Sequence, residues 1–220
     1  MSSHHIVRDD QEPALIIANG ESCSIELLNQ LLEWSPLVVV LDSAIERVID
    51  LGIKVDVLIG DFDRGFNYKY YKDLQYPIEI VKDDNQENYD IDKAILYLIN
   101  RNIPAANIVW ATGKRMDHTL TNITNLVRYQ DKIKLVMLDD YSKITPLPKK
   151  FTKWYPAKSI ISLIPLGTVK SIKTKNLKYE LQNDDLVLGF KPGSSNEVLN
   201  DGIVEITYND GNLILIESND

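Results

Sequence analysis

The chain has 220 residues, 44% hydrophobic and 25% charged, which is ordinary for a soluble globular protein of one large domain or two small ones. With 24 Lys and Arg against 32 Asp and Glu, its net charge of −8 argues against non-specific binding to nucleic acid or an anionic membrane. A phosphate-rich ligand that arrives with metal ions is still allowed. The lone Cys23 has no disulfide partner, no basic-then-apolar leader opens the chain, and the runs "PLVVVL" and "VDVLIG" are too short to span a bilayer. The expectation is a cytoplasmic protein, with His4 and His5 in a polar tail rather than at a metal.

From the N-terminus the pattern alternates. "ALIIANG" predicts a strand and "SIELLNQLLEW" a helix with Ile25, Leu28, Leu31 and Leu32 on one face. "LVVVLD" is a second strand, followed by a short helix through Ile45, Val48 and Ile49. "VDVLIGD" is the third strand, and a Tyr-rich helix in "NYKYYKDL" leads to a fourth in "IEIVKD". Then come a helix in "IDKAILYLIN", a strand in "NIVWATG", a helix in "DHTLTNITNLVRYQ" and a strand in "IKLVMLD". Near-continuous β-branched strands separated by helices predict an α/β fold, a mostly parallel sheet with helices on both faces. After about Asp140 the pattern changes to short strands with turn signals: "KSIISLIPLG", "SIKTKNLKYEL", "DLVLGF" and "GIVEITYNDGNLILIES". Asn209-Asp210-Gly211 predicts a hairpin between the last two runs. The division expected is residues 1–140, α/β, and 141–220, a small all-β sandwich.

Ligands of open α/β sheets bind at the carboxyl ends of the strands. Strand two ends at Asp42 and strand three at Asp61 and Asp63; strand four ends at Asp83 and Asp84, with Asp90 opening the next helix. If the chain leaves strand three extended, Asp61 and Asp63 point the same way, and two like charges so close call for a compensating cation. Strand five ends in "ATGKRMDH", which brings Gly113, Lys114, Arg115, Asp117 and His118 to the same rim. Carboxylates with retained waters suit Mg²⁺ bridging a polyphosphate, and Lys114 and Arg115 beside a helix N-terminus suit the phosphates. Each piece has a plainer reading: Asp90 and Asp117 as helix N-caps, Asp42 as a turn residue, Lys114 and Arg115 as solvated charges. Their gathering at one edge favours a site. No Walker-A, GxGxxG, zinc-spaced or GxSxG pattern occurs.

With these residues the sequence resembles the thiamine pyrophosphokinase family, through "LDSAIERVIDLGIKVDVLIGDFDRG", "YDIDKAILYL", "ATGKRMDHTLTNITNL" and "GSSNE", in family order. The resemblance implies an α/β catalytic domain joined to a thiamine-binding β-sandwich. It also implies a homodimer with thiamine near the subunit interface, Mg²⁺, and ATP as co-substrate. Pyrophosphate would pass from ATP to thiamine, giving thiamine diphosphate and AMP. Asp61, Asp63 and Asp90 would hold Mg²⁺ with Asp42 nearby. Gly113, Lys114 and Arg115 would bind phosphates, and Asp117 would orient a phosphate donor or the alcohol, or act as a base. Ser195 and Asn196 would bind thiamine, their alternative being a polar turn after Pro192-Gly193. Ser43, Arg64 and Tyr89 depart from the family pattern, and no tryptophan follows "SSNE". Two alternatives stay open: a pyrophosphokinase for another alcohol, such as a hydroxymethyl pterin, and a non-catalytic binder of thiamine or nucleotide.

Overall fold

The computed structural model describes residues 12–62, 66–85 and 87–218. Asp63 and Arg64, like His4 and His5, lie outside them. The chain divides into two compact units, one running to Asn125 and taking in Asp131–Asp139, the other made of Leu126–Gln130 and everything from Asp140 on.

In the first unit the alternating pattern becomes β1 (Ala14–Ile17), α1 (Ile25–Leu32), β2 (Leu37–Leu41), a 3-10 turn (Asp42–Ala44) and α2 (Ile45–Asp50). There follow β3 (Val57–Gly60), α3 (Tyr68–Leu74), β4 (Glu79–Lys82), α4 (Asp90–Asn100), β5 (Ala105–Val109), α5 (Met116–Arg128) and β6 (Lys134–Leu138). The strands lie in the order β4-β3-β2-β1-β5-β6, and every neighbouring pair is parallel. Ser24 caps α1 by accepting from the Leu27 N–H, which explains why the helix starts where the Ser-Ile-Glu run begins. β1, β3 and β5 are buried at every position, as strands covered on both faces must be. On one face Leu15, Ile17, Val38, Val40 and Leu58 form a core with Leu28 and Leu31 of α1, Ile45 and Val48 of α2, and Tyr71 of α3. α4 packs on β2 and β3, with Ile91, Ala94, Ile95 and Leu98 buried.

The second unit holds β7 (Ser142–Pro146), β8 (Lys150–Tyr155), β9 (Ile160–Lys175), β10 (Gln182–Val187), β11 (Gly193–Glu197), β12 (Gly202–Thr207) and β13 (Asp210–Ser218). All its pairings are antiparallel. The expectation of a mostly parallel sheet therefore fails for the chain as a whole, which is mixed: parallel pairing is confined to β1–β6.

Two sequence expectations about the second unit are corrected. "KSIISLIPLG" and "SIKTK" form one 16-residue strand, β9, because Gly167 at φ +87 bends it without ending it. The Asn209-Asp210-Gly211 turn does not make a hairpin. β12 and β13 do not pair with each other but follow one another along the same edge of β9, Thr207 opposite Lys173 and Asp210 opposite Lys170, so the segment carries the chain onward along β9 instead of back on itself. Gly211 has φ +97, and a Cβ there would lie 2.3 Å from the Thr168 carbonyl oxygen. A glycine is needed for this close approach to β9, not for a two-residue hairpin turn.

Candidate active site

The carboxyl ends of the first unit's strands open into a cleft of about 530 Å³. Asp61, Asp90, Gly113, Lys114, Arg115 and His118 line it, together with Ser43 and Tyr89 from the unusual positions.

Asp42 is not among the lining residues, although its neighbours Leu41 and Ser43 are. Its carboxylate accepts from the Ser43 N–H (2.6 Å) and the Phe62 N–H (3.1 Å). Gly60 makes room for it, since a Cβ there would fall 2.1 Å from the Asp42 carboxyl group. Burial raises the Asp42 carboxyl above its ordinary range, and the charges of Asp90 and Asp61 raise it further, against the two backbone donors that lower it. Asp61 and Asp90, far from Asp42 in sequence, thus stand near enough to act on its carboxyl.

β3 does not leave the sheet extended. Phe62 is left-handed (φ +52), and its ring turns into the core, 6% exposed, against Phe66 at 4.5 Å. The premise of an extended exit therefore fails at Phe62, and the pairing of Asp61 with Asp63 lies outside the described residues. The break at Phe62 instead brings its N–H to Asp42 and leaves Asp61 on the cleft.

Asp90 and Asp117 lie inside the first turns of α4 and α5. Tyr89 is the N-cap of α4, and buried Asp92 accepts from its N–H (3.2 Å), so capping does not consume the Asp90 carboxylate. Asp90 Oδ1 instead accepts from Lys93 Nζ at 3.4 Å, and Lys93 is only 3% exposed. The sequence reading missed Lys93, though its i,i+3 spacing from Asp90 was a usable signal. It also missed Asn19 and Gly20, which line the cleft at the end of β1, where the strand-end rule applied to the other strands would have found them.

Opposite the carboxylates, the turn after β5 is held by Asn122 Nδ2 donating to Ala111 O (2.8 Å) and Thr112 Oγ1 donating to Asp139 Oδ2 (2.9 Å). Gly113 has φ +71, and a Cβ there would meet Glu21 Cβ at 2.6 Å. Lys114 Nζ donates to Asn19 O at 3.2 Å. Arg115 forms a fork on Asp117, with Nε to Oδ1 at 3.1 Å and Nη2 to Oδ2 at 2.5 Å. The hydrogen bonds from Arg115 hold the Asp117 carboxyl below the usual range. A carboxylate so held is a weak proton acceptor, and Asp117 is not among the residues lining the cleft.

Ser195 and Asn196 lie on β11, not in a turn. Ser195 is left-handed (φ +55), and its N–H donates to Ser162 Oγ (2.9 Å). Asn196 is 5% exposed; its Oδ1 accepts from the N–H groups of Tyr179 (3.0 Å) and Glu197 (2.9 Å), and its Nδ2 donates to Tyr179 O (2.8 Å).

Among the described residues no three carboxylates, histidines or cysteines are gathered closely enough to form a closed metal cage.

A parallel sheet whose carboxyl edge brings Asp61 and Asp90 to one cleft with Lys114 and Arg115 defines an α/β domain for a phosphate-bearing ligand. The comparisons agree. The profile of the thiamin pyrophosphokinase catalytic domain matches residues 28–137, and that of the thiamin pyrophosphokinase vitamin B1 binding domain matches residues 149–213. The chain belongs to the thiamin pyrophosphokinase family. It is 31% identical over 176 residues to thiamine pyrophosphokinase 1 of Oryza sativa subsp. japonica, covering 73% of this chain and 65% of that one, just under two thirds. It is 26% identical over 210 residues to the thiamine pyrophosphokinase of Bacillus subtilis strain 168, covering 93% and 98%. The fold matches the crystal structure of yeast thiamin pyrophosphokinase with a TM-score of 0.82 at 18% identity, over 97% of this chain and 89% of that one. The Bacillus subtilis enzyme's structure matches with a TM-score of 0.78 at 24% identity, over 94% and 99%.

Proposed function

We propose that this chain performs the family's reaction, transferring pyrophosphate from ATP to thiamine. The thiamine hydroxyl oxygen attacks the β-phosphorus, the bond from that phosphorus to the oxygen bridging the α-phosphorus breaks, AMP leaves, and the hydroxyl proton is released. Residues 1–140 form the catalytic domain and 141–220 the thiamine-binding domain, in a cytoplasmic homodimer with thiamine near the subunit interface.

The observation that carries this reading is a single cleft at the strand ends lined by Asp61 and Asp90 together with Lys114 and Arg115. Carboxylates gathered in one place are costly unless a cation is to sit among them. Asp61 and Asp90, with Asp63 close to Asp61 in sequence, would hold Mg²⁺, which when bound neutralises phosphate charge. Asp42 tunes that cluster, anchored by two backbone N–H groups. Lys93 offsets Asp90 until the cation arrives. Gly113 lets the phosphates approach the backbone closely, Lys114 and Arg115 attract them, and Asp117 fixes the Arg115 fork. Ser195 and Asn196 serve the thiamine side, Asn196 by setting the backbone of Tyr179.

The test is incubation with ATP, Mg²⁺ and thiamine, read for nucleotide product. AMP in step with thiamine diphosphate, stopped by EDTA, is expected. ADP in step with thiamine monophosphate, or no thiamine-dependent product, would overturn the reading.

A further inference from the structure

Arg47, on α2, lies outside the residues given roles above. Its guanidinium reaches beneath the loop that follows β1. Nη1 donates to Ser22 Oγ (2.9 Å), and Nη2 donates to Asn19 Oδ1 (2.9 Å) and Gly20 O (3.1 Å). The same group sits over the indole of Trp110, 4.5 Å from the ring centroid. Trp110 follows β5 directly and is fully buried with a left-handed backbone, φ +55. The loop is also pinned from the other side: the Gly20 N–H donates to Trp110 O, and the Glu21 N–H to Thr112 O (2.8 Å). It has no slack, since a Cβ on Gly20 would lie 2.3 Å from Thr112 O. Asn19 and Gly20 form part of the cleft wall, and Lys114 leans on Asn19 O.

We propose that Arg47 is a positioning residue for the phosphate side of the cleft. Clamping Asn19, Gly20 and Ser22 against Trp110 fixes the loop that supports Lys114, and so fixes where the Lys114 charge stands. This rests on reading the cleft as the ATP site. Packing alone would not require a planar fork whose donors converge on three residues of one loop. A lysine, as a point donor, could keep its charge over Trp110 but could not bridge all three. A cavity of about 310 Å³, lined in part by Ser22, Cys23, Asp50 and Trp110, borders the guanidinium. Truncating Arg47 therefore enlarges an existing space instead of hollowing the core.

Arg47→Met, Arg47→Lys and the milder Ser22→Ala can be compared with the parent protein in two ways. In the ligand-free protein, amide hydrogen exchange at Gly20 and Glu21 should quicken about ten-fold in Arg47→Met, a loss of about 1.4 kcal/mol, with β1 and β2 core amides unchanged. In steady state its KM for MgATP should rise by about five- to ten-fold and its KM for thiamine by less than about two-fold. Arg47→Lys should fail to restore either value, and Ser22→Ala should move both in the same direction by less. Combined with Lys114→Met, the Arg47→Met effect on the ATP KM should be less than additive. Unchanged exchange at Gly20 and Glu21, a fall in kcat with both KM values intact, or simple additivity with Lys114→Met would overturn the proposal. A parent protein that does not turn over ATP would sink the proposed function, while the exchange rates would still decide whether Arg47 holds the loop.

Discussion

Asp42 shows how a single side chain can serve the site at the expense of the fold. Its carboxyl is raised above the ordinary 3.8 by burial, then by Asp90 and Asp61, so the folded protein binds that proton more tightly than the unfolded chain does. Stability from this group is full below pH 3.8 and is lost as pH rises through the folded value. Asp42→Asn cannot titrate and should flatten this limb when urea unfolding of metal-free protein is followed from roughly pH 3 to 7. A limb of unchanged slope in the variant would place the titration elsewhere. Asp61 is the complementary case, since it lines the cleft and its charge adds to the burden on Asp42. Asp61→Asn should cut turnover by more than about 100-fold, beyond the range for residues that merely support a metal ligand, while the melting temperature holds or rises. A large drop in melting temperature would mark Asp61 as structural.

β11 and the turn before β13 carry the predictions at the scale of elements. Asn196 uses its buried amide to join β11 to the Tyr179 backbone, so Asn196→Ala removes three part-buried hydrogen bonds at once. It should cost about 1–3 kcal/mol of unfolding free energy, measurable by chemical denaturation, in addition to any change in thiamine KM. Gly211→Ala puts a methyl group into the Thr168 backbone at a φ that side chains rarely adopt, so it should destabilise the protein by more than about 2 kcal/mol by the same measurement. The elements of the first unit were legible because each parallel strand is a short apolar run and each helix shows its apolar face. β9 was not, because Gly167 reads as a break although the strand continues through it. The course of the chain at Gly211 was hidden for a related reason: local sequence marks a turn signal but not whether the chain reverses there or runs on along a neighbouring strand. Within the site, strand-end carboxylates stood out as charges after apolar runs. Lys93 did not, because a lysine in a helix usually faces water, and only the packing of α4 buries this one. The left-handed backbone at Phe62 carried no signal, since neither Phe nor its neighbours favour it.

At the scale of the whole molecule, a ligand that binds only the folded state raises its stability by mass action. MgATP at about 100 times its dissociation constant should add about 2.7 kcal/mol, seen as a rise in melting temperature, and ATP with excess EDTA should give much less. An equal rise with and without the metal would separate nucleotide binding from the carboxylate cluster. The largest consequence for the chain as a folding object comes from β9. This one strand pairs with β10, β11, β12 and β13, so four of the second unit's other six strands depend directly on it. β13, its longest partner, runs beside it from Asp210 to Ser218, so much of that sheet is incomplete until the chain has been made through β13. Such non-local pairing makes for slow folding, and a ribosome-bound chain not yet extended through β13 would leave the N-terminal part of one edge of β9 open to pairing with another molecule.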